Sequence, residues 1–136
     1  MAFIEWKTEY EIGITEIDDQ HRHLVKMVNA LYEAMKIGSG SMLLPALLDN
    51  LMDYTLSHFQ AEERYMQSSR YPDFEAHQRE HQELTEKVMQ FRVQVRQGVM
   101  VGTAEVMDFL KSWLMDHLAG SDRDFGQYWK QRQPPT

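Results

Sequence analysis

Five of the six histidines, His21, His58, His77, His81 and His117, and two carboxylates, Glu62 and Asp122, have the donor types and spacing to hold metal ions. His58 with Glu62, and His77 with His81, lie four residues apart and share a helix face, where each pair can grip one ion or two neighbouring ions. Imidazole suits iron, copper, nickel and zinc, and carboxylates that can bridge suit a pair of ions. The chain has no cysteine, so disulfides, iron–sulfur clusters and thiolate-bound zinc are excluded and any metal must be held by nitrogen and oxygen. One histidine on an apolar helix face is ordinarily a core or rim residue. A set drawn from four segments reads instead as a dinuclear metal site, because each buried, unpaired donor would cost roughly 1–3 kcal/mol without an ion.

Punctuation and apolar period supply the elements that must carry these residues. From Asp18, the positions Leu24, Val25, Val28, Leu31, Tyr32 and Met35 recur at three and four with His21 on the same face, until Gly38-Ser39-Gly40-Ser41 stops the pattern. A second helix starts near Met42, with Pro45 in its first turn, and runs through Leu44, Leu47, Leu48, Leu51, Thr55, His58 and Glu62 to about Gln67. Tyr71-Pro72-Asp73 makes a turn and offers Asp73 as the next N-cap. The third helix has the cleanest period, His77, His81, Leu84, Val88, Phe91 and Val95. After a break at Gly98 to Gly102, Thr103 can cap a fourth, whose inner face is Val106, Phe109, Leu110, Trp113 and Leu114 up to His117. Short connections force antiparallel neighbours, so the fold expected is all-α, an up-down-up-down four-helix bundle. Residues 1–136 form one domain in this reading: an N-terminal arm at 1–17 anchored by Trp6 and Ile14, the bundle at 18–126, and a frayed tail at 127–136.

Residues equally far from a hairpin turn lie at one level, because both helices rise equally per residue. His21 and His58 are matched across the first turn, His58 and Glu62 match His81 and His77 across the second, and His117 and Asp122 come level with His77 and His81 across the third to within about one helical turn. His117 and Asp122 are five apart, which a regular α-helix would splay by well over a right angle. A π-type turn around His117 to Asp122, helped by Gly120, is therefore predicted; in a regular helix Asp124 could take the place of Asp122. His23 points away from His21 and is expected at the surface, as are Glu63, Asp116 and Asp124. The ten methionines are expected to be core filler, and their spacing does not support a methionine-lined copper site.

The 136 residues suffice for one core, and the formal net charge of −7 argues against nucleic acid or an anionic membrane surface as partner. No stretch approaches the length of a membrane span, and the N-terminus lacks a basic region followed by an apolar run, so a cytoplasmic protein is expected. A monomer is expected too, since no extra apolar stripe is evident.

The spaced set of Trp6, Gly13-Ile14 through Ile17-Asp18-Asp19-Gln20-His21, His58-Phe59-Gln60-Ala61-Glu62-Glu63 with Met66, Tyr71-Pro72 before His77 and His81, and Trp113-Leu114 before His117 and Asp122 resembles the bacterial hemerythrins over nearly the whole chain. Leu84 and Phe125 depart from that pattern, at positions that bear on packing rather than on ligation. The resemblance implies a non-haem di-iron centre that binds O2 reversibly. It implies that His77, His81 and His117 hold one iron, that His21 and His58 hold the other, and that Glu62, Asp122 and an oxo or hydroxo group bridge them. One coordination position then stays open on the iron with two histidines, where O2 would be held as hydroperoxide. Trp113, Leu114, Leu118, Phe59 and Leu24 are candidates for an apolar wall around it.

Three other functions fit parts of the pattern. A di-iron oxidase or peroxidase would use the same metals, although the paired Glu-x-x-His motifs of carboxylate-rich oxidases are absent. His77-Gln78-Arg79-Glu80-His81 matches a zinc-peptidase pattern with Glu80 as general base, but leaves His21, His58 and His117 without a role. An O2 or redox sensor would signal to a protein partner, with Tyr128 and Trp129 as a docking element. The same donors can also hold zinc or manganese. The reading adopted is an O2-binding protein rather than an enzyme.

Overall fold

The computed structural model describes residues 4–36, 40–97 and 103–132. After a single 3₁₀ turn at Thr8–Tyr10 come α1 (Thr15–Lys36), α2 (Gly40–Ser68), α3 (Phe74–Arg96) and α4 (Thr103–Asp116). A π turn, His117–Ser121, joins α4 to α5 (Asp122–Arg132), and these three segments form one rod. The rods build an antiparallel four-helix bundle in which α1 packs on α2 and α4, and α2 on α3. Of the expected breaks, Gly38, Ser39 and 98–102 lie outside the described residues, as do the side chains of Met35, Leu44, Pro45, Val95 and Thr103, while Gly40 and Ser41 already belong to α2.

Local chemistry explains the boundaries. The first helix begins at Thr15, three residues before the apolar period implies, because Asp18 reaches back from its first turn to the arm. Its carboxylate accepts the backbone N–H groups of Ile12 (2.8 Å) and Gly13 (3.2 Å), and Gly13 turns the chain at φ 90°. At the far end of α2, Arg70 adopts a left-handed φ of 56°, its N–H bonds to the Gln67 carbonyl, and the Tyr71 N–H reaches the Met66 carbonyl at 2.9 Å. That is the Schellman arrangement, and it satisfies carbonyls the helix would otherwise orphan. The Asp73 carbonyl then accepts the His77 N–H, at the expected start of α3. The second helix starts at Gly40 rather than Met42, so Pro45 falls beyond the first turn.

Two apolar layers fill the bundle. The larger contains Leu24, Val28, Leu48, Leu51, Phe59, Leu84, Val88, Leu110, Leu114 and Leu118; the smaller contains Ile12, Ile14, Ile17, Ala61, Met66, Tyr71 and Phe125. On each rod the histidines and carboxylates fall between residues of one layer and residues of the other, so a polar slab is closed above and below by hydrocarbon. Methionine fills gaps at Met52, Met66 and Met107, whereas Met89 is half exposed, contrary to its expected core role.

Two stretches differ from the sequence reading. The arm is pinned more tightly than Trp6 and Ile14 alone would manage: both backbone groups of Ile4 bond the Asn29 side chain, and Tyr10 and Ile12 are buried. Residues 127–132, expected to be frayed, continue α5. Trp129 packs edge-on to Tyr65, and the Tyr128 hydroxyl donates to the Ser69 and Arg70 carbonyls. No helix among the described residues is long and apolar enough to cross a membrane.

Candidate metal centre

All seven candidate residues meet in the polar slab, each at most 3% exposed. His21 comes from α1, His58 and Glu62 from α2, His77 and His81 from α3, and His117 and Asp122 from the two ends of the π turn. There the Asp122 N–H bonds the His117 carbonyl five residues back, and this extra residue in the turn brings Asp122 to the inner face. Gly120 is not required for it, since a Cβ there would meet nothing within 4 Å. Asp124 and Asp116 stay exposed, and His23 lies at the surface with its ring 4.4 Å from that of Tyr54.

The carboxylates divide the histidines into two groups. Glu62 turns Oε1 toward Nε2 of His77 (2.5 Å), His81 (3.7 Å) and His117 (3.7 Å). Its Oε2 lies 3.0 Å from His58 Nε2 and 3.4 Å from His21 Nε2. Asp122 repeats the division: Oδ1 is 3.0 Å from both His77 and His117, and Oδ2 is 2.9 Å from His21. Two overlapping donor clusters result, Glu62-His77-His81-His117 and His21-His58-Glu62.

These near approaches are poor hydrogen bonds. Nε2 of His21, His58 and His77 and all four carboxylate oxygens of Glu62 and Asp122 are solvent-excluded without an aligned partner. Unpaired buried groups of this kind are costly, and buried charges more so. His81 and His117 meet each other through Nε2 at 3.2 Å; the other donors converge without an aligned partner, which fits a bound cation, and an all nitrogen-and-oxygen set in two groups fits a pair of ions.

The electrostatics point the same way. Burial opposes charge on His21, His77 and His117, but Asp122 and Glu62 outweigh it and raise these imidazoles to about 9, about 10 and about 9. Burial instead wins at His58, with His21 adding repulsion, and its basicity falls. Burial would raise Glu62, yet Asp122 and then His117, His21 and His58 hold it well below its ordinary range; at Asp122 the His117 and His21 imidazoles outweigh burial and the Glu62 charge, and its carboxyl is lowered too. Strong negative potential is therefore concentrated where a cation would sit.

Outer contacts hold the donors in place. The His58 Nδ1 is 2.7 Å from the Gln20 side-chain oxygen, and the His81 Nδ1 is 3.1 Å from Glu63, which also accepts from Gln78. In the sequence Gln20 has a place in a motif but no assigned role, and Glu63 is expected to be merely solvated. The signal for each was its place immediately beside a candidate ligand, where a side chain can reach the histidine of a neighbouring helix. Phe59 stacks on His81 at 3.7 Å and Trp113 on His117 at 4.4 Å.

A cavity of about 30 Å³, room for little more than one water-sized molecule, adjoins the histidines on one side. His21, His58 and His117 border it, with Leu24, Thr55, Phe59, Trp113 and Leu114 among its other walls, while His77 and His81 do not reach it. It therefore lies toward the two-histidine group. Leu118, expected in this wall, is buried in the core but does not line the cavity. Glu80, the general base a peptidase would need beside its ion, accepts a hydrogen bond from Ser121 at 2.8 Å in a different recess.

The family description "Hemerythrin HHE cation binding domain" matches residues 12–129. The chain is 34% identical over 125 residues to a bacteriohemerythrin of Pseudomonas paraeruginosa, covering 92% of this chain and 80% of that one. It is 32% identical over 127 residues to a bacteriohemerythrin of Methylococcus capsulatus, covering 93% and 96%. Among solved structures, a wild-type hemerythrin superposes with a TM-score of 0.86 at 30% identity, covering 93% of this chain and 97% of that one.

Proposed function

Because the chain belongs to the hemerythrin family, we propose that it binds O2 reversibly at a pair of non-haem iron ions, as a carrier or store rather than as an enzyme. His77, His81 and His117 would hold one ion, His21 and His58 the other, and Glu62 and Asp122 would span both. When bound, the pair supplies the two electrons and the open coordination position that O2 requires.

The observation that carries this reading is the division of each carboxylate between the two histidine groups, with one oxygen facing each. The unequal number of histidines would leave the spare position on the His21–His58 side, and the small cavity adjoins that side. Leu24, Phe59, Trp113 and Leu114 would keep bulk water out of it, so that O2 can leave as it came. Gln20 and Glu63 orient His58 and His81 from outside.

The test is an anaerobic titration of iron-reconstituted, reduced protein with O2, followed by visible absorption and then by removal of the gas. A charge-transfer band that appears with O2 and vanishes on its removal is the expected result. Direct, irreversible conversion to a diferric form would overturn the carrier reading and favour redox catalysis or sensing.

A further inference from the structure

We propose that the recess bounded by Asp73, Glu80 and Asp124 is the port through which divalent cations reach the centre. The inference rests on the di-metal reading above and adds a second, transient cation site to it. The recess holds about 350 Å³, and its walls include the three carboxylates, Ser121 and His77.

The charge at this recess is not neutralised locally. Glu11 is paired with Arg22, and Asp49 with Arg92 and Arg96, but no lysine or arginine forms an ion pair with Asp73, Glu80 or Asp124 among the described residues. The hydrogen bond from Ser121 holds Glu80 without cancelling its charge. Burial, and then Asp73 and Asp124 ahead of Asp122 and Glu80, push the neighbouring Tyr71 hydroxyl up to about 12.

A buried donor stands at the base of this field. His77 is 3% exposed, and its Nε2 lies 2.5 Å from Glu62 and 3.0 Å from Asp122. The ring edge left for the recess therefore carries Nδ1. The outer nitrogens of His58 and His81 are held by Gln20 and Glu63, and those of His21 and His117 are sealed in the interior. His77 Nδ1 has neither fate: no hydrogen bond reaches it among the described residues, and it is not sealed from solvent. One imidazole thus separates three unneutralised surface carboxylates from the two buried ones. The apolar cavity on the opposite side has no acidic wall and suits a neutral diatomic gas rather than a hydrated cation.

Focused negative charge raises the association rate of a cation by tenfold or more and does so less at high ionic strength. The test is stopped-flow uptake of Co2+ by the chelator-treated full chain, read by the visible absorption of the bound ion. Three proteins are compared: native, Asp73→Asn/Glu80→Gln/Asp124→Asn, and a control that removes the same charge from the distant exposed residues Glu33, Glu105 and Asp108. The recess variant is expected to load roughly tenfold more slowly at low salt, to approach the native rate at high salt, and to reach the native stoichiometry. The double variant Asp73→Asn/Asp124→Asn, which keeps the Glu80–Ser121 bond, should show a smaller slowing of the same kind. Equal rates in native and recess variants, or an equal slowing in the control, would overturn the port. Failure of the native chain to take up metal would instead overturn the di-metal reading.

Discussion

The Gln20 side-chain oxygen stands 2.7 Å behind the Nδ1 of His58, so a neutral amide accepts the outer N–H of that imidazole and directs its Nε2 at Glu62. Its counterpart across the site is charged: Glu63 stands behind His81. The two histidine groups therefore differ in the polarity of their outer support as well as in histidine number.

Replacing Gln20 with Ala removes that acceptor and lets the His58 ring turn. Loss of such a contact typically weakens metal binding by about 10–100-fold. Competition against a chromophoric chelator should show the loss for one of two ions. Unchanged affinity for both would mean that packing alone orients His58.

Trp113 both borders the cavity and stacks on His117. Leu114 borders the same cavity without contacting a histidine ring in this way, so Leu114→Ser isolates the effect of wall polarity. A hydroxyl admitted there should bring in water and speed conversion of the oxygenated protein to the diferric form by roughly tenfold, equivalent to about 1.4 kcal/mol in the barrier. Decay of the visible band under air measures it, and a native rate would remove Leu114 from the protective wall.

Much of this site was legible in the sequence because helix geometry converts spacing into position. Equal distances from the turns placed five histidines at one level, and the five-residue gap from His117 to Asp122 required the π turn that the structure contains. Gln20 and Ile12 were harder to see. A glutamine beside a histidine has many possible partners, and only the packing of α1 on α2 selects His58. The arm has no helical period, so Ile4, Tyr10 and Ile12 revealed their burial only once the Asn29 and Asp18 side chains had fixed the backbone between them. The helical tail escaped because its final Gln-Pro-Pro-Thr reads as a frayed end, although Tyr128 and Trp129 lie before it.

Without metal, protons are what offset the buried carboxylates. His21, His77 and His117 rise from an ordinary 6.5 to about 9, 10 and 9. A raised basic group stabilises the fold fully below its unfolded value and loses that contribution as pH climbs through its folded value. The apo protein should therefore lose stability between about pH 6.5 and pH 10. The metal-loaded protein, whose imidazoles are held by ions rather than protons, should change little over that range. Thermal melts of both forms at pH 6, 8 and 10 decide the matter; parallel behaviour would refute it.

A Cβ added at Gly126 would lie 2.7 Å from the Ile12 Cβ and 3.1 Å from its Cα. Ile12 cannot recede freely, because its N–H is held by Asp18. Alanine would favour the helix by about 1 kcal/mol, but forced overpacking costs about 1–3 kcal/mol. Gly126→Ala should therefore be destabilising, by up to about 2 kcal/mol, in denaturant unfolding. A variant more stable than the native chain would show that the arm yields.

Tyr128 ties the end of α5 to the turn between α2 and α3. Its hydroxyl donates to the carbonyls of Ser69 and Arg70, the latter in the left-handed conformation that ends α2. That turn sets the start of α3 and hence the levels of His77 and His81 relative to Glu62. Tyr128→Phe keeps the ring contact with Tyr71 and deletes only the donor, which should cost about 1 kcal/mol. Ending the chain after Gly126 also removes the packing of Trp129 on Tyr65 and Phe125 and should cost several times more. If the clasp holds the site as well as the fold, Tyr128→Phe should also weaken retention of the ion nearer His77 and His81, read as faster loss of metal to a chelator. A drop in melting temperature with unchanged metal loss would confine Tyr128 to stability.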